Sequence, residues 1–141
     1  PIFAALSTLG KPEKINADAT FFKNGADAEC NMVFDYKENV KATLKSTLLE
    51  NTPTHAIFTF DKAIVKINTQ FHEPSTLTIV QKGKEETIDF KTKTIGYNFE
   101  TEHFNNLLRE NKKESNIMTF EFSKNLIKTL DEVRSIIGLE Y

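Results

Sequence analysis

The 141-residue sequence has no tryptophan, one cysteine, five glycines and no long apolar run. The single cysteine, Cys30, excludes an intrachain disulfide framework and is typical of a reducing compartment such as the cytoplasm. No apolar run approaches the roughly 20 residues that cross a bilayer, so no membrane span is expected. Charged residues make up 27% of the chain with a net charge of −2, so the basic surface that binds nucleic acid is not expected either.

The few glycines and histidines also exclude two kinds of site. No two glycines stand in the G-x-G-x-x-G or P-loop spacing that holds phosphates, so we expect no dinucleotide site in this chain. Metal ligation is equally unexpected, because the three histidines are far apart and no C-x-x-C or H-x-x-x-H spacing occurs. The simplest interpretation of each histidine is packing or surface exposure. These histidines are His55, His72 and His103.

What the chain does contain is a regular alternation of apolar and polar residues. Between residues 13 and 92 apolar residues recur at every second position, as in Cys30, Met32 and Phe34, and turns such as Asn24-Gly25 and Lys82-Gly83 separate the runs. This period predicts short strands with tight connections and a mostly antiparallel sheet of six or seven strands.

The last third has a helical period instead. Residues 100–111 carry apolar side chains at helical spacing, and a stripe from Phe122 to Ile137 continues over about four turns between a candidate N-cap, Thr119, and a stop at Gly138. With a further helix over residues 2–9, the chain is predicted to be a single α+β domain spanning residues 1–141. We expect an open-faced sheet with helices on one face.

The second face of this sheet is predicted to be an association surface. Two or three helices cover one side only, yet six apolar strand residues remain for the other: Phe22, Val33, Leu49, Phe58, Phe60 and Val80. Apolar sheet faces of this kind pack on a second subunit or on another domain. We therefore expect a homo-oligomer. The apolar first helix, which lacks an N-cap, in turn favours a chain cut from a longer protein.

The C-terminal third also resembles a known family. Its order is Gly96-Tyr97-x-Phe99-Glu100-x-Glu102-His103-Phe104, then Glu114-Ser115, then a helix that carries Leu130-Asp131-x-x-Arg134 and ends at Gly138. This order is similar to the C-terminal end of the glucose–fructose oxidoreductase and inositol dehydrogenase family (Gfo/Idh/MocA), in particular its dihydrodiol dehydrogenase-like branch.

That resemblance implies a function that the residues alone do not. It implies the substrate-pocket and dimerisation domain of an oxidoreductase that transfers hydride between NAD or NADP and a sugar, polyol or dihydrodiol, with an N-terminal Rossmann domain that this chain lacks. No residue here matches the family's catalytic lysine, aspartate or tyrosine, so the chain by itself is expected to be inactive. Phe71 and His72, which resemble the family's aromatic loop, are the candidates for a substrate-binding wall.

One rival from another class stays open at the level of sequence. A complete small α+β protein could enclose an apolar ligand, since the 12 phenylalanines would suffice to line a cavity.

Overall fold

A computed structural model describes residues 1–140 and contains helices and antiparallel strands, as predicted. In chain order the elements are α1 (Ile2–Leu9), β1 (Lys14–Phe21), β2 (Asp27–Asp35), a 3-10 turn (Lys37–Asn39), β3 (Lys41–Thr47), β4 (Ala56–Thr59), β5 (Ala63–Ile67), β6 (Thr76–Gln81), β7 (Lys84–Asp89), α2 (Tyr97–Arg109) and α3 (Phe120–Ile137). The α+β class is therefore confirmed.

The strands form two sheets rather than the expected single one. Over the described residues, one sheet has the order β1-β2-β3 and the other β4-β5-β6-β7. The break falls at residues 48–55, which form no ladder and include Pro53, whose nitrogen cannot donate to one. The chain correspondingly divides into two compact units, one of residues 1–51 with the segment from Glu114 onward and one of Thr52–Lys113. One domain across residues 1–141 stays a prediction.

The first unit has its core on one face of its sheet. Burial alternates along β2, so that Ala28, Cys30, Met32 and Phe34 all point to the buried side. Phe34 is completely buried. The residues packed around this row come from α1, β1 and α3, and they are Ile2, Ala5, Leu6, Ile15 and Val133. Burial also raises the pKa of the Cys30 thiol, which keeps it protonated and inert.

Helix α3 begins and ends where its sequence predicts. The Thr119 hydroxyl accepts a hydrogen bond from the backbone N–H of Phe122 at 3.0 Å, which satisfies one free donor of the first turn. Gly138 closes the helix in the left-handed conformation, with φ of 71°. The predicted stripe packs against the core through Phe122, Leu126, Leu130, Val133 and Ile137.

The outward face of this first sheet is polar, contrary to the expectation of an apolar second face. The Nζ of Lys45 lies 3.0 Å from Glu29 Oε2 and 2.9 Å from Glu50 Oε1, and Lys41 lies 3.2 Å from Asp35. The hydrogen bond from Lys45 lowers the pKa of Glu29.

The six apolar residues expected on one second face do not share one. Val33 lies on the outward face of the first sheet, while Phe22 and Leu49 lie outside the strands. Phe58 and Val80 belong to the second sheet, on opposite faces, and Phe60 follows β4. The physical reason is that a run such as Leu48-Leu49 places apolar residues in a strand connection, where alternation no longer assigns them to a face.

None of the helices within residues 1–140 combines the length and the apolar composition needed to cross a membrane.

Replacement of Phe34 tests the assigned core. We expect Phe34→Ala to lower the free energy of unfolding by about 3–5 kcal/mol, because it removes a fully buried ring. Phe120→Ala is the matched control, since that ring is 67% exposed. The control should change stability by less than about 0.5 kcal/mol in urea titrations. Equal losses in both variants would contradict the core assignment.

Candidate functional site

The sheet of the second unit has two unlike faces. Because directly paired residues share a face, the register places Phe58 beside Val65, Val65 beside Ile79 and Ile67 beside Leu77. We call this side of the sheet the apolar face. Two of its residues, Phe60 and Phe90, lie just after β4 and β7 and continue the alternation of those strands. The complete set is Phe58, Phe60, Val65, Ile67, Leu77, Ile79, Ile88 and Phe90. All of them are half-buried or exposed.

The opposite side carries a hydrogen-bonded row that we call the polar ladder: Asn68, Thr76, Thr78 and Thr87. The Nδ2 group of Asn68 donates to the hydroxyls of Thr76 at 2.7 Å and Thr78 at 2.9 Å. The Thr78 and Thr87 hydroxyls lie 3.0 Å apart. Thr78 is buried although it is polar, and these bonds offset the cost of its burial.

A polar cavity of about 510 Å³ opens at the end of this ladder. Its walls are Asn68, Thr69, Pro74, Ser75, Thr76, Asp89 and Thr92. The carboxylate of Asp89 accepts from the Nζ of Lys91 at 2.7 Å and from the backbone N–H of Lys91 at 2.8 Å. The hydrogen bond from the Lys91 side chain lowers the pKa of Asp89, so this wall carries an ionised carboxylate that is paired with an ammonium group.

A second, more apolar cavity of about 430 Å³ adjoins it. Its walls are Ile67, Pro74, Ser75, Thr76, Leu77, Phe90, Thr92 and Phe99. The two cavities have four residues in common, Pro74, Ser75, Thr76 and Thr92. We refer to both together as the cleft. It offers hydrogen-bonding groups on one side of a shared wall and aromatic side chains on the other.

The loop between β5 and β6 contributes Pro74 and Ser75 to that shared wall. A turn closes it, with the N–H of Glu73 donating to Gln70 O at 2.8 Å, and Gln70 adopts a positive φ of 64°. The Ser75 hydroxyl donates to Thr69 O at 3.2 Å. The N–H of Phe71 donates to Thr54 O at 3.0 Å, which ties the loop to the segment before β4.

Phe71 and His72 lie on this predicted loop but line neither cavity. Their rings meet edge to face with centroids 5.7 Å apart. The His72 side chain is 57% exposed, with Nε2 lying 3.8 Å from Glu73 Oε1. The loop itself is confirmed, whereas a substrate contact by either residue stays a prediction.

The sequence did not indicate the residues that do line the cleft. Asn68, Thr76, Asp89 and Thr92 are common polar residues. They come together only because the end of β5, the beginning of β6 and the end of β7 lie at the same edge of the sheet. The one available signal was that these residues lie at the ends of strands or in the segments that follow them.

The remaining histidines do not join this site. His55 precedes β4 and His103 lies on α2, and both are half-buried. Throughout residues 1–140, no three His, Cys, Asp or Glu side chains are grouped so that they could hold a metal ion.

The beginning of α2 lies close to the loop, so that a side chain at its N-cap would be crowded. Gly96, the N-cap of α2, has φ of 104°, and a Cβ at this position would lie 3.3 Å from Cδ of Pro74. An L side chain here would meet both backbone strain and the Pro74 ring. The lack of a side chain at Gly96 therefore leaves room for Pro74, a residue that both cavities share.

Replacement of Gly96 tests this contact. Gly96→Ala and Gly83→Ala should both lose roughly 1–2 kcal/mol of unfolding free energy, because both backbones have positive φ. Gly96→Ala should lose more, since Pro74 must shift, whereas nothing lies within 4 Å of a Cβ at Gly83. Urea titrations of the two variants measure the difference. A loss for Gly96→Ala no larger than for Gly83→Ala would show that the contact with Pro74 is loose.

The sequence of this chain is similar to parts of known dehydrogenases. The chain matches no protein-family profile. It is 26% identical over 137 residues to a trans-1,2-dihydrobenzene-1,2-diol dehydrogenase of Xenopus tropicalis, which covers 93% of this chain. It is 27% identical over 141 residues to a scyllo-inositol 2-dehydrogenase (NADP(+)) of Bacillus subtilis, which covers 99% of it. The chain spans 42% of the length of either relative.

A solved structure shares the fold. The UDP-N-acetylglucosamine 3-dehydrogenase of Acidithiobacillus ferrooxidans superposes with a TM-score of 0.81 at 14% identity, over 96% of this chain and 44% of that protein. The resemblance that the C-terminal motifs indicated is thereby confirmed: the chain is similar, over nearly its whole length, to part of oxidoreductases of the Gfo/Idh/MocA family.

Proposed function

We propose that this chain is the substrate-binding and association domain of an NAD(P)-dependent oxidoreductase that acts on a sugar, polyol or dihydrodiol. The observation that carries the proposal is the match of nearly the whole chain to two dehydrogenases whose names specify a diol and an inositol. The cleft supports it, because its hydroxyl, amide and carboxylate groups suit the hydroxyls of such substrates.

The nicotinamide cofactor has no matching site among the described residues. Each of the glycines with positive φ stands alone, and the strand pairs are antiparallel, so the parallel strand–helix–strand unit that binds a dinucleotide is not formed here. We therefore assign the cofactor, NAD or NADP, to a Rossmann domain outside this chain. The hydride chemistry belongs to that cofactor.

The role of this chain is then to bind and orient the substrate. The Asp89 carboxylate, held by Lys91, accepts hydrogen bonds from substrate hydroxyls in the polar cavity. Asn68 donates its amide N–H groups to the polar ladder, which leaves its carbonyl oxygen as a second acceptor. We place the enzyme in the cytoplasm, which agrees with the single, buried thiol of Cys30.

We further propose that the apolar face mediates a homo-oligomer, in the simplest case a dimer. Phe60 and Phe90 are 60% and 63% exposed at its two ends, and the six side chains between them are half-buried. Covering this row with a second copy would remove a continuous apolar surface from water.

An enzymatic assay tests the proposed function. The product of the complete gene should reduce NADP⁺ or NAD⁺ with scyllo-inositol, trans-1,2-dihydrobenzene-1,2-diol or an aldose, measured as nicotinamide absorbance. The 141-residue chain is the control: it should not reduce the cofactor or change NADPH fluorescence, because it lacks the glycine fingerprint.

Two results would contradict this account. The first is that the complete gene product is inactive with every substrate and both cofactors. If a hydrophobic compound were then found to co-purify in the apolar cavity, the chain would be a binding protein for an apolar ligand. The second is micromolar NADPH binding by the 141-residue chain itself.

A charge introduced into the apolar face tests the association. Phe60→Lys should shift the sedimentation of the protein from dimer to monomer, because it buries an ammonium group in the contact. Phe120→Lys is the matched control, since that ring is 67% exposed but lies outside the apolar face. A wild-type monomer at tens of micromolar, or an equal shift in both variants, would refute this surface.

A further inference from the structure

Within residues 1–140, four strands have one long side without a neighbouring strand. They are the outer strands of the two sheets, β1, β3, β4 and β7. Such a side exposes backbone N–H and C=O groups that can pair with another chain, and proteins usually block it with charged side chains. Two charged residues stand on β1, two on β3 and four on β7. β4, with the sequence Ala-Ile-Phe-Thr, has none and is open to pairing.

The ladder between β4 and β5 shows which backbone groups of β4 are free. The N–H of Phe60 donates to the C=O of Ala63 at 2.9 Å, which makes these two residues a bonded pair. Bonded and non-bonded positions alternate along an antiparallel ladder. Phe58 is therefore bonded to β5, whereas Ile57 and Thr59 turn their N–H and C=O groups away from it. We call this the free side of β4; the side chains of Ile57 and Thr59 are exposed there.

A second copy of β4 fits this free side when it runs antiparallel about a two-fold axis at Phe58. Ile57 of each copy then lies opposite Thr59 of the other, and the two residues exchange both of their free hydrogen bonds. Residues 56–60 of the two copies overlap completely in this register. A register centred on Ile57 or on Thr59 instead places the other of these two residues opposite a position outside β4.

The side chains agree with this register. Phe58 of one copy lies directly opposite Phe58 of the other, at a non-bonded position, where facing side chains are closest and aromatic pairs are favourable. Since Phe58 belongs to the apolar face, the apolar faces of the two copies lie side by side. On the opposite side of the sheet, Ile57, which is 52% exposed, lies beside Thr59 of the second copy. Residues 56–60 include no ionisable side chain, so no charge is buried.

We propose that β4 pairs with β4 of a second copy of this chain, in the register centred on Phe58, so that two four-stranded sheets become one of eight strands. This contact goes beyond the association proposed for the apolar face, because it joins backbones rather than stacked side chains. It does not depend on the oxidoreductase function. Phe60→Lys weakens both contacts, since residue 60 faces Ala56 of the second copy and a lysine there blocks pairing.

Disulfide crosslinking of two single variants tests the register. A mixture of Ile57→Cys and Thr59→Cys should form a linked dimer on mild oxidation, because the Cα atoms of a bonded pair lie about 5.5 Å apart, within reach of a disulfide. Each variant alone is the control, since two copies of residue 57, or of residue 59, lie more than about 7 Å apart in this register. The mixture should give about fivefold more linked dimer than either control. Cys30 is buried and should not react.

A proline on the free side separates this contact from the apolar face. Phe58→Cys should link to its own copy, and adding Ile57→Pro should abolish the link, because proline lacks an N–H that only the second copy would accept. Glu85→Pro is the matched control. Its N–H points away from β6, by the same alternation counted from the Lys82-Gly83 turn, and its loss should leave the link unchanged. Circular dichroism checks that both proline variants fold.

The outcomes decide between the contacts. Equal linking in the mixture and in the single variants, or no linking in the mixture, would overturn this register. A Phe58→Cys link that survives Ile57→Pro would belong to the apolar face and would overturn the pairing of β4, as would a Phe58→Cys variant that does not link. If Ile57→Pro does not fold, the mixture alone decides. A linked mixture from a protein whose complete gene product lacks nicotinamide chemistry would overturn the oxidoreductase proposal only.

Discussion

The constraint on which this protein depends is the alternation of side chains along its strands. In the first sheet, β2 directs Cys30, Met32 and Phe34 to the helices and its charged and amide side chains to water. In the second sheet the same alternation separates the polar ladder from the apolar face. A shift of one residue in the register of either sheet would exchange its two faces. The core, the cleft and the proposed association surface all require that register.

The cleft forms where the ends of three strands meet at one edge of the second sheet. Asn68 follows β5, Thr76 begins β6 and Asp89 ends β7, so antiparallel pairing brings all three to one edge of the sheet. The loop between β5 and β6 then closes that edge, and Gly96, which has no side chain, leaves room there for Pro74. The residues that line the cleft are thus far apart in the sequence but lie in one small region of space.

This distribution explains which features could be predicted from the sequence. Helix α3, its Thr119 cap and its Gly138 stop were predictable because their signals are local. The Lys82-Gly83 turn and the loop at Phe71 and His72 were predictable for the same reason. The polar ladder was not, since asparagine and threonine carry no signal until pairing brings them together. Nor was the division into two sheets, because alternation identifies strands but does not state which strands are neighbours.

The central claim, that this chain is the second domain of a two-domain oxidoreductase, is tested most directly by the DNA that precedes the codon for Pro1. The account predicts an uninterrupted reading frame that encodes a Rossmann domain, with a G-x-G-x-x-G fingerprint after its first strand. An initiator codon immediately before Pro1 would contradict it. The cleft would then belong to a complete small binding protein.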